Sequence, residues 1–331
     1  MPIATLMFHY VRDNEKHRYN THCRRINEFI AQMEMLINTK NGIVDVNDID
    51  QVTYYLKHET ELAFLMTFDD GYKDQLECAK ILNREGKNGI FFIATKTLDN
   101  KFLDTNLIHM LLGTEDVNSK IAISWLFNYF KKEKVGRIRG RLVSIGEYIR
   151  TYTESIDNSD SNEDRIVKRL LQRDLCTIES RESVLLKMLK ELSQIDLVMS
   201  LKELYLSKKD LLLMKTMGME IGSHTKSHVW LSHQTKTEQK KEIIESIKAI
   251  KELMPKEAKT ISYFCYPFGD YNLDTVNLVE ECRIDFAFTT KVGLSKLKEE
   301  NSKYRYELAR FDTNDFWDDE YRRPMINRMV N

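Results

Sequence analysis

The chain has 331 residues, 42% of them hydrophobic, and 50 Lys and Arg against 51 Asp and Glu for a net charge of -1. That is enough apolar material for one large α/β barrel or two domains, and the balanced charge excludes a broad electrostatic nucleic-acid footprint. Five scattered cysteines (Cys23, Cys78, Cys176, Cys265, Cys282), odd in number and without a CxxC pair, exclude a disulfide scaffold and point to a reducing compartment.

The N-terminus, Met1 to Tyr10, forms the first of seven short apolar runs, with a strand expected over Thr5–Tyr10. It lacks a basic region and a small-residue cleavage site, so it does not read as a signal peptide. No run approaches the ~20 apolar residues that span a bilayer. The expectation is a cytoplasmic protein. Further strands are expected over Ala63–Asp69, Gly89–Ala94, Met219–His224, Ser262–Pro267, Asp285–Thr289 and Tyr306–Phe311. They are rich in Phe, Ile and Met without strict alternation, as in strands covered on both faces.

Helical patterns separate these runs. Tyr72–Glu85 stops at Gly86, the residue type favoured just past a helix end. Glu238–Met254 aligns Ile243, Ile244, Ile247 and Ile250 on one face, with a capping box from Thr235 to Glu238 and Pro255 beyond. Strand–helix alternation predicts a parallel sheet, and seven strands rather than eight predict an incomplete barrel. From about Thr97 to Ser207 the rhythm breaks into proline-free helical stretches over Lys120–Lys132, Arg141–Thr153, Asp164–Cys176 and Ser183–Leu192. The expected organisation is a barrel from 1–96 and 208–331, with 97–207 as a mostly helical insertion in the same domain. That insertion is expected to serve packing or a homodimer contact, with a substrate lid as the alternative.

Two strand ends carry chemistry. Thr67-Phe68-Asp69-Asp70-Gly71-Tyr72 places adjacent carboxylates where a buried strand breaks into a glycine turn, and an unpaired buried charge is costly there. Glu220-Ile221-Gly222-Ser223-His224-Thr225-Lys226-Ser227-His228 ends a second strand in imidazoles four apart, which share a face if the chain turns helical. Together they suggest Asp, His and His around a divalent metal with open positions, the arrangement of catalytic zinc sites. One carboxylate is left over.

With the later Tyr266-Pro267-Phe268-Gly269-Asp270-Tyr271, these segments resemble the first three motifs of the polysaccharide deacetylases, carbohydrate esterase family 4, in the manner of chitooligosaccharide deacetylases. The resemblance implies a distorted (β/α)7 barrel. It implies Asp69 as general base activating a metal-bound water, and Asp70, His224 and His228 as metal ligands. The Phe268 backbone N–H would help hold the oxyanion, in a turn shaped by Pro267 and Gly269. The implied function is a metal-dependent hydrolase that removes N-acetyl groups from a sugar or polysaccharide precursor, a C–N hydrolase of cell-surface polysaccharide biosynthesis. The ion would be zinc first, with cobalt, nickel or iron compatible with the same donors. The partner would be an N-acetylated glycan.

This chain departs from the family pattern at three places, one being the family's fourth motif, whose Asp and Trp have no clear counterpart beyond Asp285. Cys265 stands where many members carry an arginine that braces the catalytic Asp, and Arg310 stands in place of a late histidine, with no His after His233. Arg310 is therefore expected to brace Asp69 from the last strand. His9, ending the first strand beside the last, is a candidate proton donor. Tyr72, Tyr266, Pro267 and Trp230 are expected to line the substrate. An O-acetyl esterase or other amidohydrolase on the same site, a metal-retaining binding protein without catalysis, and a metal-independent glycosidase are the alternatives.

Overall fold

Every residue of β1 (Ile3–Phe8) is buried, because helices cover one side of the sheet while the other faces the barrel interior. The computed structural model describes residues 3–12, 23–58, 62–114, 117–153, 162–176, 180–193, 195–254, 261–297, 303–313, 317–318 and 323–324. After β1 come α1 (Ile26–Ile37), α2 (Ile49–Lys57), β2 (Ala63–Phe68), α3 (Gln75–Arg84) and β3 (Ile90–Ile93). The chain then builds a second compact unit from residues 101–202 before returning to the first. That stretch contains α4 (Asp104–Leu112), α5 (Ser119–Phe130), the hairpin β4 (Lys134–Ile138) and β5 (Arg141–Ser144), α6 (Ile145–Thr153), α7 (Asn162–Arg169) and α8 (Arg181–Leu192). Next come α9 (Leu197–Leu204), α10 (Lys208–Thr216), β6 (Glu220–Ser223), α11 (Lys236–Leu253), β7 (Tyr263–Cys265), α12 (Leu273–Glu281), β8 (Phe286–Phe288) and β9 (Phe311–Asp312). Among the described residues no helix is long and apolar enough to cross a membrane.

Seven strands form one sheet in the order β8-β7-β6-β3-β2-β1-β9, and every pairing in it is parallel. The segment around Arg310 joins its two edges. Leu308 bridges Phe288 in parallel, with its N–H donating to Ala287 O and its carbonyl accepting from Thr289 N–H. Three residues later Phe311 pairs with Leu6 of β1. The result is a distorted (β/α)7 barrel. The expected strand at Tyr306–Phe311 is thus displaced. Lys303–Tyr306 is a single 3-10 turn, and pairing is shared between Leu308 and Phe311 because each faces a different neighbour.

Alternation along the strands sorts two cores. Phe64, Met66, Phe68, Phe91, Ile93 and Phe264 pack with the helices that cover the sheet. Leu65, Ile90, Phe92, Tyr263, Cys265, Phe286 and Phe288 form a separate interior cluster. Thr67 and Asp69 follow Leu65 at two-residue steps, so the strand's own period aims them inward. In α11 the Thr235–Glu238 capping box is present and Ile243, Ile247 and Ile250 are buried.

In the second unit Arg141–Ser144 is strand rather than the start of a helix, which begins at Ile145. Val135, Gly136 and Val143 are buried, and the Arg139-Gly140 turn, with both φ positive, folds the ribbon back. Such a two-residue connection matches the twist of paired strands.

Gly222 has a packing role beside the barrel interior. A Cβ there would lie 2.6 Å from the Phe92 ring and 2.9 Å from Tyr263 O. Gly222→Ala is expected to destabilise by about 1–3 kcal/mol through overpacking, lowering Tm by roughly 2–10 °C in a thermal melt. Gly146→Ala is the control, since its Cβ would meet only Phe127 at 3.4 Å within α6, and its expected effect is neutral or stabilising.

Candidate active site and metal centre

At the end of β2 the chain turns through Asp70 and Gly71, both with positive φ (74° and 75°). In an extended strand Asp69 and Asp70 would point to opposite faces. The left-handed turn at Asp70 breaks that alternation and brings both carboxylates to the same region. Gly71 also passes close to β3, where a Cβ would sit 3.1 Å from Ile93 Cδ1. The Gln75 carboxamide donates to Asp69 O at 2.6 Å and His9 O at 3.1 Å, tying the ends of β1 and β2 together.

The two imidazoles are held differently from the helical arrangement expected. His224 follows β6, and the next residues form a loop with positive φ at Thr225 and His228. The His228 N–H donates to Thr225 Oγ1 at 3.0 Å, and Ser227 N–H donates to Glu242 Oε2 of α11 at 2.7 Å. Both Nε2 atoms face one carboxylate oxygen. Asp70 Oδ1 lies 3.4 Å from His224 Nε2 and 3.1 Å from His228 Nε2.

Whether these groups suit a cation follows from their lone pairs. His224 Nδ1 is 2.8 Å from Cys265 O, an acceptor only, so this nitrogen carries the proton and, in the neutral ring, Nε2 presents a lone pair. That lone pair faces a carboxylate oxygen that is buried and accepts no aligned hydrogen bond. Two acceptors so placed repel unless a cation lies between them. For metal bonds of ~2.1 Å, neighbouring tetrahedral donors stand about 3.4 Å apart, close to the separations seen. The Asp70, His224, His228 trio therefore fits a divalent ion, and the Cys265 carbonyl is the outer partner that orients His224. Asp69, His224 and Cys265 also cluster, but there the Cys265 Sγ and the Asp69 carboxylate already face the Arg310 guanidinium, and burial pushes the thiol up.

Asp69 is committed to Arg310. The guanidinium, with no exposed side-chain surface, donates from Nη1 to Oδ1 at 2.8 Å and from Nη2 to Oδ2 at 2.7 Å. Its Nε donates to Thr289 O at 2.8 Å, Nη1 also reaches Thr67 Oγ1 at 3.2 Å, and Nη2 reaches Cys265 Sγ at 3.0 Å. Burial alone raises the Asp69 carboxyl, but the Arg310 charge and its paired hydrogen bonds outweigh that and hold it below the usual carboxylate range. At Asp70 burial is likewise outweighed, here by the two adjoining imidazoles with His228 first, and the carboxyl lies well below that range. Both carboxylates are therefore ionised at neutral pH.

The remaining expected residues divide into rim and core. His9 Nε2 lies 3.9 Å from Asp69 Oδ2, with a third of its side chain exposed. Phe268 adopts φ 58°, ψ 9° in the 3-10 turn Pro267–Gly269. Its ring meets His228 edge-on at 4.6 Å and stacks on Trp230 at 4.5 Å. Gly269 permits this turn, because a Cβ there would fall 2.1 Å from Thr290 Oγ1. Pro267 is the buried residue of this turn. Tyr72 and Tyr266, expected at the substrate, lie inside the protein instead. Tyr72 stacks between Tyr10 at 3.9 Å and Tyr205 at 6.3 Å, while Tyr266 is fully buried beside Phe264 and Tyr271. Their rings are consumed by packing and present no surface.

Sequence reasoning missed Thr67, Gln75 and Asp270. Thr67 was legible in principle, two residues before Asp69 on the inward face. Asp270 accepts both the N–H and the hydroxyl of Ser232, at 2.8 and 2.7 Å, pinning the Trp230 loop to the Phe268 turn. Gln75 and Asp270 act on distant backbone, which no local pattern reveals.

Comparisons with known proteins agree with this geometry. Residues 184–287 match the family model for polysaccharide deacetylase, a range that includes both histidines and the Phe268 turn but neither Asp69 nor Asp70. No curated protein sequence matches the chain. Among solved structures, Streptococcus pyogenes deacetylase PplD, in complex with acetate, is similar with TM-score 0.55 at 13% identity, covering 94% of this chain and 92% of that one. The de-N-acetylase from Aggregatibacter actinomycetemcomitans gives 0.52 at 12% identity, covering 94% of each chain. IcaB from Ammonifex degensii gives 0.51 at 13%, covering 94% and 91%. At such identities these likenesses speak for the fold, and they extend it over nearly the whole chain. The segment 184–287 is thus similar to the polysaccharide deacetylase family, and the barrel that carries it and the Asp70, His224, His228 cluster has the fold of solved deacetylases.

Proposed function

We propose that this protein is a metal-dependent hydrolase that removes N-acetyl groups from a sugar or polysaccharide precursor. The single observation that carries the reading is the acceptor-lined gap between Asp70, His224 and His228, set beside an ionised carboxylate on Asp69 that none of them needs. A divalent ion in that gap, zinc in the first instance, supplies Lewis-acid polarisation of the amide carbonyl and acidifies water. Asp69 accepts the proton of the attacking water, a task its ionised state permits. Arg310 keeps that carboxylate charged and fixes the orientation of both oxygens. The N–H of Phe268, on a turn forced into positive φ, is the donor assigned to the oxyanion; one such donor is worth about 3 kcal/mol. His9, 3.9 Å from Asp69 and a third exposed, delivers a proton to the departing amine. Trp230, stacked on Phe268, offers an aromatic face to the sugar ring.

Elemental analysis and acetate release from N-acetylglucosamine oligomers test this together. Asp70→Asn is expected to lose bound metal and activity. Asp69→Asn is expected to retain metal while turnover falls about 10²- to 10⁴-fold, the usual contribution of a positioned base. Full turnover in the Asp69 variant, or metal retained at one equivalent in the Asp70 variant, would falsify the reading. Ester substrates assayed in parallel separate amide from O-acetyl hydrolysis.

The buried pair makes a separate prediction. Arg310→Met leaves Asp69 without its partner in the interior, and breaking a buried pair costs roughly 3–5 kcal/mol. A lowered Tm and loss of turnover are expected. Arg310→Lys should not restore activity, since a single ammonium cannot reproduce the two-pronged geometry. Turnover near wild type in the Lys variant would count against a bidentate brace.

A further inference from the structure

The 101–202 unit carries a charge feature that deacetylation does not use. Between residues 131 and 141 the chain has Lys131, Lys132, Lys134, Arg137, Arg139 and Arg141 against one acid, Glu133, within a protein of net charge -1. All six bases are exposed. Arg141 pairs with Glu147. The other five have no ion-pair or side-chain hydrogen-bond partner among the described residues.

The hairpin geometry concentrates this charge. In the β4–β5 register Gly136 faces Val143 and Arg137 faces Leu142. Opposed residues share a face, and successive pairs alternate. The Gly136 and Val143 side is buried, with Tyr148 of α6 within 3.0 Å of where a Gly136 Cβ would be. Arg137 and Leu142 therefore stand on the outer side, and Leu142 is 43% exposed. At the tip Arg139 sits at φ 47° ahead of Gly140 at φ 82°, a position where Asn or Gly is favoured and an arginine is strained. Phe127, one turn before Lys131 in α5, is 52% exposed. Flexible, unpartnered cations suit a diffuse negative surface better than a stereospecific oligomer, whose groups would call for fixed donors. Apolar side chains among them match the chemistry of a headgroup boundary.

We propose that this hairpin is a peripheral docking surface for an anionic phospholipid bilayer. The bases are held by the surface potential, and Leu142 adds apolar contact at the headgroups. The strained arginine at the tip is retained for its charge.

Flotation of the full chain with vesicles tests the proposal. Binding is expected to phosphatidylcholine vesicles containing phosphatidylglycerol and not to phosphatidylcholine alone, and it should weaken as salt rises. Arg137→Glu combined with Arg139→Asn is expected to weaken binding at least ~10-fold, with acetate release from soluble oligomers unchanged. Arg139→Asn by itself is the decisive variant. It builds the favoured Asn-Gly turn, so Tm should hold or rise while vesicle binding falls. Leu142→Ser should reduce the binding that survives added salt. Equal affinity for neutral vesicles, unaltered binding in the double variant, or retention by soluble polyphosphate without retention by phosphatidylglycerol vesicles would each overturn it.

Discussion

One guanidinium holds the barrel and its site together. Arg310 stands between the two edges of the sheet, in the segment that touches β8 at Leu308 and β1 at Phe311. From there it bonds the carbonyl after β8, the hydroxyl and carboxylate at the end of β2, and the thiol of β7. Removing that charge from water costs several kcal/mol, and only near-ideal pairing offsets it. Because the partners come from three different strands and Arg310 from a fourth segment, the pairing exists only when the barrel is closed. Closure thus brings up the cation that keeps Asp69 charged once it is buried.

Backbone strain gathers around the same place. Asp70, Thr225, His228 and Phe268 all have positive φ, and each belongs to a loop at the site. Such residues cost of order 1–3 kcal/mol and persist only where surroundings over-determine them. Here the surroundings are identifiable: Gln75 grips the β2 end, Glu242 the histidine loop, and Asp270 the Trp230 loop. The rigid strands supply position, and the strained turns supply direction. A carboxylate that would have faced the helices is redirected toward two imidazoles.

The second unit follows a different logic. Its buried polar centre, where Tyr148 donates to Asp174 at 2.6 Å and Arg173 pairs with the same carboxylate, serves folding. Burial would raise the Asp174 carboxyl, but hydrogen bonds from Arg173 and Tyr148 hold it below its ordinary value. The hairpin of the same unit places its charges outward, where Arg141 alone of the six bases from Lys131 to Arg141 finds an ion-pair partner among the described residues. Interior charge is matched, and the charge of the hairpin is mostly not. That contrast is what separates structural from interaction chemistry in this unit.

The primary structure alone determined the parallel seven-strand architecture, because runs such as Phe64–Phe68 and Ile90–Ile93 lack alternation and are spaced by helical patterns. It also determined that carboxylates and imidazoles end two of those strands, and that a resemblance to deacetylases follows. Lone pairs, by contrast, have no linear signature. Only the tertiary structure decided that Asp70 Oδ1 faces both Nε2 atoms, that Cys265 acts on His224 through its carbonyl, and that Tyr72 and Tyr266 are packing residues. The hairpin at Lys134–Ser144 also escaped the linear reading, because Arg141-Leu142-Val143 continues smoothly into a genuine helix. Local propensity acts over a few residues, whereas these outcomes depend on groups tens to hundreds of positions apart meeting in a closed barrel or a paired ribbon.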